Sequence, residues 1–143
     1  MKKIIFLLLV VATLPALAAD SLGTKLYDKF AAAFPDARNV RWYPDGELTA
    51  VSYESEGIIS HIWYDSNGDV VKTRRYYTEK DLAPFLKVKI NQKYAGKSIY
   101  GVTEVSDKEG LFYVLMLQDD KKWYQVRCEA GGETTLLQKY KKS

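Results

Sequence analysis

His61 is the single histidine and Cys128 the single cysteine of a 143-residue chain. Histidine catalysis needs a nucleophile in hydrogen-bond reach of the ring and a third group to orient it. No motif here supplies either, so His61 reads as a packing or contact residue on a strand. One histidine and one cysteine make no zinc set. Asp65-Ser66-Asn67-Gly68-Asp69 offers the oxygen donors that calcium takes. A calcium-binding EF-hand loop, however, needs glycine at its sixth place and an acid at its twelfth. Counted from Asp65, Gly68 stands fourth and Tyr76 twelfth. Asn67-Gly68 between apolar alternations is instead a hairpin turn. The carboxylate pairs Glu54/Glu56 and Asp119/Asp120 fall at turn-forming clusters, where acids are solvated. The sequence carries no nucleophile elbow, phosphate loop or dinucleotide fingerprint. The reading is a non-enzymatic chain with no catalytic residue, no cofactor and no metal.

The remaining chemistry is that of contact surfaces, and it depends on the elements that carry it. Leu22, Leu26, Phe30 and Ala33 recur at helical spacing behind Ser21, a cap residue. A helix is expected from about Leu22 to Phe34, ended by Pro35. Four strands follow: one around Val40 and Trp42, one around Val51 and Tyr53, then Ile58–Tyr64 and Val70–Tyr77. Pro44-Asp45-Gly46, Ser55-Glu56-Gly57 and Asn67-Gly68 turn the chain between them. A second helical region opens at Thr78, takes Pro84 into its first turn and closes at Gly96. Phe85, Val88, Ile90 and Tyr94 are expected on its core face. Four more strands are expected at Ile99–Val105, Leu111–Leu117, Lys122–Cys128 and Thr134–Tyr140.

The order is helix then four strands, twice over. Residues 29–76 are echoed by 89–140, with Phe30/Ile90, Phe34/Tyr94 and Ile62/Val126 in matching places. Such self-similarity marks two copies of one supersecondary unit. The fold class is α+β, a tandem repeat of a helix and a four-stranded antiparallel meander. The repeats span about 21–77 and 78–140 of a single domain over residues 19–143. With no disulfide to staple it, this domain is large enough to hold itself by burial. Cys128 matches Tyr64 in the first copy and is expected to be a buried, inert thiol.

Residues 1–18 read as a leader. Lys2-Lys3, an apolar run from Ile4 to Leu14, and Ala16-Leu17-Ala18 form the charged, hydrophobic and cleavage regions of a signal peptide. The run falls short of the roughly 20 apolar residues that a membrane-spanning helix needs. The chain is therefore expected outside the cytoplasm, periplasmic or secreted, with no membrane attachment after cleavage. The formal charge of +3 includes Lys2 and Lys3, so the remainder is nearly neutral. That argues against a nucleic-acid partner, which selects a basic stripe.

Strand periodicity sorts the side chains into two faces. If Ile62, Tyr64, Val126 and Cys128 lie under the helices, then His61, Trp63, Trp123, Gln125 and Arg127 point away. Phe112, Val114 and Met116 join them. This open face is aromatic and apolar, as contact surfaces are. His61, Trp63, Phe112, Trp123 and Arg127 are the expected anchors for an envelope protein or peptide. Two other readings start from the same residues. The apolar face could make a homodimer, or the 11 tyrosines could line a cavity for a small ligand or an enzyme substrate between helix and sheet.

The run Phe34-Pro35-Asp36-Ala37-Arg38-Asn39-Val40-Arg41-Trp42 resembles the exported PepSY-like, β-lactamase-inhibitor-like family of bacterial envelopes. Tyr64-Asp65-Ser66-Asn67-Gly68, Leu82-Ala83-Pro84, Tyr94-Ala95-Gly96-Lys97-Ser98-Ile99 and Tyr113-Val114-Leu115 add to the resemblance. It covers residues 19–143 almost entirely, although the second copy has Tyr94-Ala95-Gly96 where the first has Phe34-Pro35. The resemblance implies two units joined in one concave sheet whose hollow side binds a protein as an inhibitor or regulator. The alternative arrangement is a pair of cystatin-like units that share no sheet.

Overall fold

The computed structural model describes residues 19–143, and side chains from Gly23 onward. The leader assigned to residues 1–18 lies outside the described residues. Helix α1 spans Ala19–Ala33 and is a unit of its own. Leu26 and Phe30 of its apolar stripe are buried, whereas Ala33 is exposed. The stripe therefore ends one turn earlier than its spacing suggested. Ser21 lies within the helix rather than capping it.

Residues 34–143 form the second unit. Strands β1 (Arg38–Asp45), β2 (Leu48–Ser55), β3 (Ile58–Tyr64) and β4 (Val70–Tyr77) make the first meander. A single 3-10 turn at Glu79–Asp81 leads to helix α2 (Pro84–Lys93). Strands β5 (Ser98–Asp107), β6 (Gly110–Gln118), β7 (Lys122–Glu129) and β8 (Thr134–Lys141) make the second. All eight strands pair in chain order in one antiparallel sheet. The cystatin-like alternative falls on the β4–β5 ladder, which runs from Thr73↔Ser106 to Tyr77↔Val102 and joins the two copies. Glu104 fastens the same seam. Its carboxylate pairs with Arg75 at 3.1 Å and accepts the Tyr77 hydroxyl at 2.7 Å.

Proline opens α2 at the position where its missing N–H costs nothing. Past its end, Gly96 takes a left-handed φ of 78°, which a side chain resists. The face that α2 buries matches the expected one at Ile90 and Tyr94 but not at Phe85 and Val88. Phe85 and Val88 are 52% and 56% exposed, while Leu86 and Ile90 are 0% and 1%. The buried stripe is Leu82, Leu86 and Ile90, an i, i+4 series that begins in the preceding turn. It packs with Tyr113, Leu115, Leu117, Tyr124, Val126 and Cys128 of β6 and β7. Lys89 and Lys93 donate to the carbonyls of Gly131 and Thr134, tying α2 to the last hairpin.

Cys128 is fully buried in this core. Burial, reinforced by nearby Glu129 and Glu133, pushes its thiol pKa up. The thiolate is the reactive form. Cys128 is therefore expected to resist an aromatic disulfide reagent in the native protein and to react at once in denaturant. Rapid native labelling would show that this core opens. Glu56, Asp119 and Asp120 lie in turns as anticipated, whereas Glu54 lies within β2 and accepts the Asn39 amide at 3.2 Å. Asp65 accepts the N–H groups of Asn67 and Asp69. Asp119 accepts the Tyr124 hydroxyl and the N–H groups of Lys121 and Lys122, bonds that hold its carboxyl at about 2.

Candidate recognition face

Side chains directly opposite in an antiparallel ladder share a face. Val51, Tyr53, Ile62, Tyr64, Tyr113, Leu115, Val126 and Cys128 all lie on the α2 side and are buried. The opposite face is read along the rows. One row runs Ser52, His61, Arg74, Val105, Phe112, Glu129. The next runs Ile59, Tyr76, Thr103, Val114, Arg127. His61, Trp63, Phe112, Trp123 and Arg127 therefore all sit on this face, as the period-two pattern requires. They do not converge. His61 and Phe112 are separated by three strand spacings, roughly 14 Å.

The structure divides them into three clusters. In the first copy, the His61 ring stacks on Trp63 with centroids 5.7 Å apart and meets the edge of Tyr76 at 5.7 Å. Its Nδ1 is hydrogen-bonded to the Tyr43 hydroxyl at 2.9 Å. Trp63 Nε1 donates to Asp45 at 2.7 Å, and Lys72 and Arg74 lie over its ring at 5.2 and 5.5 Å. Trp63 is only 7% exposed. The expectation that it projects as a free anchor is corrected: it points to the open side, but long cationic stems from β4 cover it. Its indole is a support that holds Lys72 and Arg74 in place.

In the second copy, the Arg127 guanidinium lies 3.7 Å over the Phe112 ring. Arg127 Nε also donates to Glu129 at 2.6 Å, and this pairing raises the Arg127 pKa. At the far end of β7, Trp123 meets the edge of Tyr100 at 4.9 Å, with Lys142 over its ring at 4.6 Å. Tyr43, Asp45, Lys72, Arg74, Tyr76 and Tyr100 were not singled out from sequence as members of this face. Their places follow from strand pairing. Gly101 alone carried a local signal, since glycine inside a strand pattern marks a bulge or a close approach.

The electrostatics are lopsided. Arg127 is paired with Glu129, but among the described residues Lys72, Arg74 and Lys142 form no ion pair. Burial and the neighbouring Arg74 both lower the His61 pKa, so the ring is neutral at pH 7. Its stabilising contribution is present above about 6.5, the unfolded value, and is lost as pH falls through the lower folded value. Wild-type melting temperature is thus expected to drop between about pH 7 and about pH 5. His61→Gln should show a shallower drop, because it removes the group that must take up a proton. Parallel melting profiles for the two proteins would refute a neutral His61. On the α2 side of the sheet, a hollow of about 360 Å³ is bordered by Phe34, Tyr53, Ile62 and Arg75. It is the nearest counterpart there to the cavity expected for a small ligand.

No family model and no curated protein sequence matches the chain. Solved structures do match. A BLIP-like protein from Bacteroides fragilis has a TM-score of 0.60 at 16% identity, covering 91% of this chain and 89% of that one. A DUF2874 family protein from Bacteroides uniformis has a TM-score of 0.60 at 17% identity, with 87% and 89% coverage. A presumed periplasmic protein from Bacteroides eggerthii has a TM-score of 0.60 at 14% identity, with 81% and 86% coverage. The chain has the fold of these proteins over nearly its whole length.

Proposed function

We propose that this chain is an exported, non-enzymatic binding protein that recognises a polypeptide through the sheet face opposite α2. One observation carries the reading. The core around Leu86 and Leu115 lies on the α2 side, yet aromatic rings and arginines crowd the other side of both repeats. Aromatic and arginine side chains dominate binding hot spots. His61, Phe112, Trp123 and Arg127 are the contact residues, with Trp63 as the support under His61. The likeness to a BLIP-like protein favours binding over catalysis. The signal-peptide pattern of residues 1–18 and the likeness to a presumed periplasmic protein favour the cell envelope as the place of action.

The test is affinity capture from a bacterial envelope extract. Wild type should retain partners that a Trp123→Ala/Arg127→Ala variant loses. Equal recovery of the same partners by both would sink the reading. The competing homodimer is addressed by light scattering. Lys139 and Lys141 on edge strand β8 oppose strand-to-strand pairing between copies. The homodimer expected from the apolar face is a separate case, and a monomer at high concentration would remove it.

A further inference from the structure

The open face has a missing side chain near its middle. Gly101 pairs with Met116, so a side chain at 101 would stand on the open face. Its backbone does not need glycine. It is not among the glycines with positive φ, and a Cβ built on it would meet no atom within 4 Å. The ladder shifts register between Ile99 and Gly101. Tyr100, at that irregularity, is 63% exposed and leans on the Trp123 ring.

Two adjoining hollows result, sharing Tyr100 and Met116. One, of about 320 Å³, runs over Gly101 toward Tyr76, Val114 and Gln125. The other, of about 330 Å³, lies among Tyr100, Met116, Trp123 and Tyr140. Each is large enough for an aromatic or branched aliphatic side chain. Cations stand at both ends. Lys142 lies over Trp123, and Arg74 donates to the Tyr76 hydroxyl at 3.1 Å. Neither forms an ion pair among the described residues.

We infer that the hollows around Gly101 are a subsite for an apolar or aromatic side chain of a polypeptide partner, flanked in that partner by carboxylates. The apolar walls desolvate the ring or aliphatic chain, and Lys142 and Arg74 supply the charge that acidic neighbours complement. A neutral glycan suits the place less well. It would leave both cations without counter-charge, and the second hollow is walled by Tyr100, Met116, Trp123 and Tyr140. The inference rests on the open face being the binding face.

The experiment selects a phage-displayed library of random linear peptides on the immobilised protein, then measures synthetic versions of the winners by fluorescence anisotropy. Enriched peptides should place Phe, Trp, Leu or Met beside Asp or Glu. Their affinity should fall as sodium chloride rises from about 50 to about 500 mM, since exposed charges are then screened. Gly101→Leu fills the vacancy without backbone strain and should weaken binding at least about tenfold, as loss of a hot-spot pocket does. Its melting temperature should stay at or above that of wild type. Tyr100→Ala, at an exposed position, should weaken binding in the same direction and serves as a second probe.

Peptides without acidic residues, or with undiminished affinity for Gly101→Leu and Tyr100→Ala, would overturn the subsite. If those same peptides lose affinity for Phe112→Ala or Arg127→Ala, the open-face function stands and only the subsite falls. If no substitution on this face alters binding, both fall. Failure to enrich any peptide, or retention of a neutral glycan from an array instead, would also overturn the subsite.

Discussion

Trp63→Ala is expected to destabilise the protein by about 3 kcal/mol, the low end of the range for removing a buried aromatic ring. The indole is 7% exposed, with Lys72 and Arg74 lying over its ring. Its removal takes away the stack under His61 and the surface on which Lys72 and Arg74 lie. Asp45 also loses the N–H it accepts at 2.7 Å. Trp123→Ala makes the contrast. That ring has one edge contact with Tyr100 and a lysine above it, and is less buried. Its loss should cost about 1 kcal/mol or less. Denaturant melts of the two variants check the claim. If Trp63→Ala costs no more than Trp123→Ala, Trp63 is a free contact residue after all.

Leu86→Ala should be comparably damaging, on the order of 2–5 kcal/mol, lowering the melting temperature by roughly 10 °C or more. Leu86 is fully buried on α2 and belongs to the cluster that contains Leu115, Leu117, Val126 and Cys128. A cavity there loosens the helix from β6 and β7 together, and the two lysine bonds to the last hairpin are too exposed to compensate. Phe85→Ala, one residue away and half exposed, is the control and should change stability by less than about 1 kcal/mol. Comparable losses at 85 and 86 would mean that α2 docks by a different face. Reaction of Cys128 with the disulfide reagent, measured on Leu86→Ala, should speed up in step with the lost stability.

The contrast between Leu86 and Phe85 shows where sequence reading fails. A ten-residue helix with apolar residues at 85, 86, 88 and 90 has two plausible stripes. Propensity does not choose between them. Leu82, in the turn before the helix, extends the 86/90 stripe into one row that reaches the sheet. For strands the problem is simpler. A period of two leaves only two faces, and one buried residue assigns all the others. Ile62 and Val126 thus placed His61, Trp63, Phe112, Trp123 and Arg127 correctly on the far side.

The local pattern by itself determined the order helix, four strands, helix, four strands, the turns, and the face on which each strand residue stands. Each depends on neighbours a few residues apart, through backbone geometry and alternation. Tertiary structure alone decided the rest, because the decisive contacts join residues distant in the chain. The seam between copies is a ladder of backbone bonds from Thr73–Tyr77 to Val102–Ser106. Trp63 is covered because Lys72 pairs beside it and Arg74 sits next along β4. Gly101 became the floor of a hollow when strand pairing brought Tyr76, Val114 and Met116 around it. Which face a residue occupies is local; whether it is open there depends on what the neighbouring strands bring alongside.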